Sequence, residues 1–458
     1  MPKRLKQIIL FAGDMAILYL SLWLALQVRY WPSVDPEIFY RHIPLFTAIF
    51  VLWSAVFFVT GLYSLSSVWN MDKTIRKFIQ AMIVNAGSAV LIFYLVPYFQ
   101  ITPKTVLLLY LVIFSLLFSF WRLVYSRALK AFGTTSSMVM IGSQKSSLEF
   151  TKNIIDHPEL GYDLVAFFNL NGKPMPRWLK ESGILIGENL SQLKTLIKSR
   201  KVDLVVVGND VYSKIFSELY RLIPTGISFY NLSSFWEGLN RYIPISEANE
   251  VWFLENLRGV RKSVYEIRKW IFDLFFSFLL GIPVLVLIPL IALGIRLSGP
   301  EGPVFYKQLR VGRDGKLFEI LKFRTMVPDA EKKGKARWAK ENDPRITKFG
   351  RFLRVTRLDE LPQLTNVWRG EMSFIGPRPE RPEFVRTLSK KIPHYNLRHL
   401  IRPGLTGWAQ VNFPYGSSEE DAERKLRYDL YYLKHRSLLL DTEIILKTAG
   451  VMVLRRGR

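Results

Sequence analysis

The sequence predicts a membrane α+β protein: four N-terminal transmembrane helices over residues 1–130, a Rossmann-like α/β domain over 137–251, and a C-terminal α/β domain over 262–458 that carries a re-entrant membrane helix hairpin at about 270–296. Three observations carry that expectation. Hydrophobic residues make up 49% of the 458, with 12 Trp, 20 Tyr and 32 Phe, and they arrive in long blocks, as in membrane proteins. Short β-branched runs then alternate with polar helical stretches, the texture of a parallel α/β domain. A last long apolar run contains prolines and is basic on both flanks.

Four apolar runs, 8–28, 43–62, 78–99 and 106–125, each approach the ~20 residues needed to cross the hydrocarbon core as a helix. The first follows Lys3, Arg4 and Lys6, but it is too long for a signal peptide and no small-residue cleavage site follows it. Basic residues Lys73, Arg76 and Lys77, and again Arg122, Arg127 and Lys130, place the N-terminus and everything after Tyr125 in the cytoplasm by the positive-inside rule. Asp14 is costly within a span, so it is expected to face another helix in a structural role.

Strands are expected at Met138, Leu164, Val202 and Ile227. After the first comes Gly142-Ser143-Gln144-Lys145, not the G-x-G-x-x-G that lets a backbone approach a pyrophosphate. No dinucleotide site is therefore expected, and the domain reads as a spacer or regulatory module.

The run 274–295 is long enough to span, yet Arg261, Lys262, Arg268 and Lys269 precede it and Arg296, Lys307, Arg310 and Arg313 follow. A full crossing would carry a strongly basic remainder to the wrong side. Pro283 or Pro289, with Gly281, offers a bend, so a hairpin with both ends cytoplasmic fits length, charge and prolines together; an ordinary fifth span is the alternative. The formal net charge of +25 calls for an anionic surface. Beside such apolar runs, anionic lipid fits better than nucleic acid. With no cysteine, disulfides, thiolate zinc sites and cysteine nucleophiles are excluded, and the five histidines show no metal-ligand spacing.

Residues 350–380, GRFLRVTRLDELPQLTNVWRGEMSFIGPRPE, gather Arg351, Arg354, Arg357, Arg369 and Arg378 around the pair Asp359-Glu360. Pro362 is tolerated only in a first helical turn, so a helix is expected to begin near Leu358 or Asp359. Its N-terminus favours anions and should keep Asp359 ionised. Taken alone, such a pair reads as a helix cap, Thr356 or Asp359, with a solvated neighbour. Guanidinium groups around two carboxylates instead suit a diphosphate. Lys322 and Arg324 share a strand face by alternation, either solvated or gripping phosphate. Residues 331–348 read as a polar, mobile loop around Gly334. Gly376-Pro377-Arg378-Pro379-Glu380 reads as a rigid turn presenting Arg378. Arg398 and Arg402 lie near Trp408, to recognise a base or diphosphate or only to pack. Tyr428, Tyr431, Tyr432, Lys434, His435, Arg436, Arg455, Arg456 and Arg458 suggest interfacial anchoring.

Such a site can support phosphoryl transfer: one carboxylate as nucleophile, a second pointing about 100° away round a helix and free to hold Mg²⁺, and arginines neutralising the cleaving diphosphate. LDELPQLTNVWRGEMSFIGPRPE, with KFRTM at Lys322 to Met326 and RPGLTGWAQVN at Arg402 to Asn412, resembles the bacterial polyprenyl-phosphate sugar-1-phosphate transferases, the monotopic phosphoglycosyl transferases, from about Lys262 onward. The four spans and the α/β domain resemble the larger members. The resemblance implies a membrane helix-break-helix, with Ile282-Pro283 or Ile288-Pro289 where the family has Ser-Pro. It implies Asp359 as the nucleophile attacking the β-phosphate of a UDP-sugar with release of UMP, and Glu360 as the Mg²⁺ ligand. Lys322, Arg354, Arg378 and Arg402 would hold phosphates, and polyprenyl phosphate would be the acceptor. It further implies a place at the bacterial inner membrane, the catalytic domain cytoplasmic, and a first step in exopolysaccharide, capsule or O-antigen synthesis. A nucleotide-sugar dehydratase or epimerase would need a dinucleotide fingerprint and a Tyr-x-x-x-Lys in the Rossmann-like domain; Tyr265 to Lys269 has that spacing but lies outside it. A non-catalytic scaffold would not need both carboxylates. No motif encodes the sugar, and a homodimer through the N-terminal regions is compatible with the sequence.

Overall fold

Long apolar stretches build the helices Lys3–Tyr30, Pro36–Thr60, Met71–Leu95 and Lys104–Ala131. The computed structural model describes residues 3–32, 36–64, 71–95, 104–131, 135–172, 174–199, 202–245, 250–257, 263–298, 301–328, 330, 343–413, 416 and 418–453. Among these, the four N-terminal helices and a fifth at Val264–Ser298 are long and apolar enough to cross a membrane by length and composition. The polar loop around Gly334, Arg261, Lys262 and the closing Arg455, Arg456 and Arg458 lie outside the described residues, as do the side chains of Lys3, Arg4, Lys73 and Lys130. The chain forms two compact units, Met1–Leu232 and Ser233–Arg458.

In the first unit the helices meet through aromatic side chains. Phe78 stacks on Phe118 with centroids 4.4 Å apart, and Tyr110 on Phe114 at 5.9 Å. Lipid tails are as apolar as such a core, so helix association there rests on close packing and on polar contacts between helices. Asp14 supplies one: it pairs with Arg122 at 2.6 Å, both side chains buried, and Arg122 also donates to the Leu62 carbonyl. Arg122 is therefore an internal partner and not the free cytoplasmic flank that the sequence suggested, since an unpaired buried Asp14 would be far more costly.

Five strands follow: β1 (Ser136–Ile141), β2 (Tyr162–Phe168), β3 (Leu185–Gly187), β4 (Leu204–Val207) and β5 (Ser228–Asn231). All pairings are parallel and the order is β3-β2-β1-β4-β5, a doubly wound Rossmann-like sheet. Val139, Ile141, Val205 and Val207 fill its core with Phe168 and Leu193; central parallel strands are covered on both faces, which is why they are nearly continuous in apolar residues.

The second unit takes in the helix Leu232–Asn240 from Ser233 onward and draws Ile243, Ile245 and Phe253 into its own core. Arg241 clasps Glu443 with two bonds, at 2.6 and 2.8 Å, and lies over Trp408. Glu237 binds Lys434 at 2.8 Å and also His435, and Arg436 pairs with Glu266. These contacts correct the expectation of interfacial anchoring at this place. Tyr431 and Tyr432 are buried, and the basic residues beside them are held by carboxylates within the unit.

The apolar run with its two prolines forms one helix, Ser263–Ser298, with Pro283 and Pro289 inside it. It packs on the second unit along its length. Lys269 binds Asp273, and Asp273 accepts from Ser373 Oγ at 2.7 Å and from the Phe374 amide at 3.1 Å. Trp368 donates to Ser277 and covers Gly281. Farther along, Gly294 lies against the Phe349 ring, and Ile291 and Ile295 join Phe323 and Leu353. Ile282, Leu285, Val286 and Leu290 are exposed. An antiparallel pair, β6 (Phe305–Val311) and β7 (Leu317–Phe323), and a short parallel pair, β8 (Ser373–Ile375) and β9 (Gly404–Thr406), complete the frame of the site.

Candidate active site

Thr347 caps the helix Lys348–Thr356 by accepting from the Gly350 amide at 2.9 Å. Leu353 fixes that helix against Ile291 and Ile295. The helix stops at Arg357, whose φ of 58° is left-handed, a conformation uncommon outside glycine and often found at functional turns. The chain then enters a 3₁₀ turn, Leu358–Gln363, and only at Leu364 does α-helix begin, running to Trp368. The start expected near Leu358 is present, but the first turn is 3₁₀: Pro362 contributes no amide hydrogen to an α-helical ladder.

This turn buries both carboxylates, each residue 8% exposed. Glu360 Oε1 accepts from Lys322 at 2.8 Å and from Arg378 at 2.6 Å, while Oε2 has a longer contact of 3.4 Å with Arg378. Burial would raise Glu360, but Arg378 and Lys322 hold it well below the usual carboxylate range. Asp359 is the opposite case: its carboxylate makes no hydrogen bond or ion pair among the described residues. Burial, and then the neighbouring Glu360 charge, push it up to about 6, against the pull of Lys322, Arg354 and Arg378. The helix N-terminus expected to stabilise its charge does not outweigh that desolvation, so Asp359 is ionised at neutral pH with a small margin.

Lys322 arrives on β7, opposite Tyr306 of β6. Asn366 ties β7 to the Leu364–Trp368 helix: it donates to the Glu319 carbonyl at 2.7 Å and accepts from the Leu321 amide at 3.3 Å. Arg378 projects from the Gly376–Glu380 turn, which is held from behind by buried groups. Arg398 donates to the Arg378 carbonyl at 3.0 Å while bound to Asp429 at 2.8 Å and to Tyr395 at 2.7 Å. Arg310 reaches the Pro379 carbonyl at 2.9 Å, and the Val311 amide that of Glu380 at 3.0 Å. Gly376 is obligatory, because a Cβ there would lie 2.5 Å from the Arg402 carbonyl oxygen.

The structure thus brings Lys322, Arg354 and Arg378 to bear on the pair, through contact or charge. The Arg402 backbone lies beside the turn, and its half-buried side chain makes no ion pair among the described residues. Arg351 and Arg369 are exposed, and Arg324 packs against Gly302. Arg398 is buried among Tyr395, Asp429 and the Arg378 carbonyl and supports the turn; Trp408 is flanked by Arg241 and Lys447. Sequence reasoning missed the supporting roles of Arg310 and Asp273, which bind a backbone carbonyl and a backbone amide, and of Asp429, which holds Arg398; no local motif announces them.

Among the described residues no three His, Cys, Asp or Glu side chains gather as a metal cluster. Glu360, the expected Mg²⁺ ligand, has its oxygens engaged by Lys322 and Arg378; Asp359 beside it has no such partner, and an adjacent carboxylate pair fits Mg²⁺, which takes one or two carboxylates and completes its shell with water and phosphate oxygens.

Fold and site together define a class: a membrane-associated protein whose second unit holds a buried carboxylate pair ringed by cations. Residues 264–455 match the bacterial sugar transferase family, and residues 58–208 the CoA-binding domain family. The chain is 31% identical over 336 residues to the UDP-galactose-lipid carrier transferase of Erwinia amylovora, covering 70% of this chain and 68% of that protein. It is 46% identical over 154 residues to a UDP-N-acetylgalactosamine-undecaprenyl-phosphate N-acetylgalactosaminephosphotransferase of Aeromonas hydrophila, covering 34% of this chain and 36% of that one. A UDP-glucose:undecaprenyl-phosphate glucose-1-phosphate transferase of Xanthomonas campestris pv. campestris is 45% identical over 161 residues, 35% of this chain and 33% of its own. The matched regions span about a third of the length of the Aeromonas and Xanthomonas proteins. The chain belongs to the bacterial sugar transferase family.

Proposed function

We propose that the protein transfers a sugar-1-phosphate from a UDP-sugar to a membrane polyprenyl phosphate such as undecaprenyl phosphate, through a covalent intermediate on Asp359. The observation that carries this reading is the buried Asp359 carboxylate, without a hydrogen-bond partner, beside a Glu360 that holds Lys322 and Arg378. An unpartnered carboxylate has its lone pairs available to phosphorus, whereas a salt-bridged one is a weaker nucleophile.

In the first half-reaction an Asp359 oxygen attacks the β-phosphorus. The bond from that phosphorus to the oxygen bridging the α-phosphate breaks, and UMP leaves with that oxygen and its electron pair. The sugar phosphate stays on Asp359 as an acyl phosphate. In the second, a phosphate oxygen of the polyprenyl phosphate attacks the same phosphorus, which restores the carboxylate and yields polyprenyl-diphosphate-sugar. Lys322, Arg354, Arg378 and Arg402 orient the diphosphate and balance its charge. Glu360 would hold Mg²⁺, which when bound neutralises diphosphate charge.

The acceptor phosphate lies at the lipid–water interface, so the site must too. The Ser263–Ser298 helix supports that placement: Asp273 near its start and Ile295 near its end both pack on the unit bearing the site. Straight, the stretch from Lys269 to Ile295 would extend roughly 40 Å. In the proposed arrangement it dips into the inner leaflet, bent at Pro283 or Pro289, and returns to the cytoplasmic side of the bacterial inner membrane. Anionic lipid beneath the basic residues and a homodimer through the N-terminal helices belong to the same reading. The named relatives use N-acetylgalactosamine, glucose and galactose donors, and the product would be the first lipid-linked intermediate of an exopolysaccharide, capsule or O-antigen.

The test incubates the protein in lipid nanodiscs with Mg²⁺, undecaprenyl phosphate and a panel of UDP-sugars, and measures UMP release. Release with one sugar, lost in Asp359→Asn, is the expected result. Release that survives in the variant would overturn the covalent role.

A further inference from the structure

In an open parallel sheet a nucleotide docks where the strand order reverses, on amide groups of the loop after the first strand and of the helix that follows. Here that place lies between β1 and β4, at the loop Gly142-Ser143-Gln144 and the helix Lys145–Asp156. A match to the CoA-binding domain family over 58–208 implies such a ligand.

The place is already filled. Asp210, in the first turn of the helix Asn209–Tyr220, reaches across the strand ends. Its Oδ2 accepts from the Ser143 amide at 3.2 Å and from Ser143 Oγ at 2.7 Å, and Asn171 donates to Ser143 Oγ at 2.7 Å. A carboxylate thus receives the donors that a ligand phosphate would use. The glycines leave no room either. A Cβ on Gly142 would collide with Ser147 Oγ, and one on Gly208 would lie 2.6 Å from Asp210 Oδ1 and 3.0 Å from Ser147 Oγ. In nucleotide-binding loops such glycines admit the pyrophosphate; in this chain they admit its own side chains.

Of the remaining polar atoms, Ser147 Oγ is a buried hydroxyl without a partner among the described residues, and Asp210 Oδ1 stands with it beside Gly208, putting a carboxylate oxygen where an anion would need that donor. Asp210 Oδ1 is buried without a partner, and an unmet carboxylate oxygen calls for a donor such as water. The adjoining cavity, about 460 Å³, has Glu188 and Glu218 as its charged lining residues. A CoA or nucleotide diphosphate there would meet two carboxylates and the neutral Asn171, Asn189 and Ser191, with no cation in that lining to balance its charge.

We infer that this domain is closed to CoA and to nucleotide diphosphates, and that Asp210 is a built-in substitute for the ligand anion, latching the β1 loop to the helix after β4. The experiment follows amide hydrogen exchange of residues 142–148 in the full chain in nanodiscs, with and without millimolar CoA. Unchanged exchange in the wild type is expected, and slowing by CoA would overturn the inference. Asp210→Asn keeps an acceptor for Ser143, and hence the fold, but loses the charge; exchange at Ser143 should rise by about tenfold, as weakening of a charge-assisted bond implies. An unchanged rate in that variant would remove Asp210 from the latch.

Discussion

Replacing Asp359 by Asn should abolish transfer and, on the same physical grounds, stabilise the second unit. Burial and the Glu360 charge push Asp359 from its ordinary 3.8 to about 6. A group with a raised folded-state pKa holds its proton more tightly in the folded chain. Folding therefore loses stability as pH rises from the unfolded value to the folded one. Roughly two units, at about 1.4 kcal/mol each, amount to about 3 kcal/mol, complete above pH ~6 and absent below pH ~4. Asn has the shape of the protonated acid and escapes that cost. At pH 7.5 the variant should thus be more stable by about 3 kcal/mol, and at pH 5 by about half as much. For a unit of this size about 1 kcal/mol moves the midpoint by roughly 2–4 °C, so the shift at pH 7.5 is roughly 6–12 °C. The assay is thermal unfolding of the intact protein in nanodiscs, followed by tryptophan fluorescence at both pH values. A midpoint for Asp359→Asn equal to or below wild type at pH 7.5, or a difference that grows as pH falls, would refute the reasoning.

Single-turnover UMP release should decline below about pH 6, where Asp359 takes up its proton; Lys322→Met removes a charge that lowers Asp359 and should move this acid limb upward by roughly one unit, which a pH–rate profile reads directly. Asp273→Ala leaves the buried Lys269 ammonium only the longer contact with Asp441 at 3.5 Å, leaves Ser373 Oγ only the Ile375 carbonyl, and deprives the Phe374 amide of its acceptor. Breaking a buried pair this way costs about 3–5 kcal/mol, seen as early unfolding and faster proteolysis of the second unit. Gly294→Leu drives a side chain into the Phe349 ring; it should displace the Lys348–Thr356 helix, cost about 1–3 kcal/mol and lower UMP release, whereas Leu293→Ile, on an exposed position, should leave both unchanged.

Periodicity, composition and charge were enough to read the long apolar helices, the parallel sheet and the position of the carboxylate pair, because each leaves a local trace: runs near the bilayer thickness, β-branched strands, arginines around Asp359-Glu360. The spacing of Lys322 and Arg378 from that pair carries no such trace. Only tertiary packing brings β7 and the Gly376–Glu380 turn to Glu360, and it leaves Asp359 without a partner. The roles of Arg398, Asp429 and Arg310 were equally hidden, since Arg398 and Arg310 donate to backbone carbonyls, and Asp429 holds Arg398, across positions distant in sequence. The basic and aromatic residues at 428–436 show the converse: composition suggested a membrane surface, and long-range carboxylates, Glu237 and Glu266, claimed them. What the sequence determined by itself was therefore which groups are charged, apolar or rigid. Which charges meet, and which one stays unpaired, was decided by the tertiary structure, because burial and pairing depend on neighbours that the chain supplies from far away.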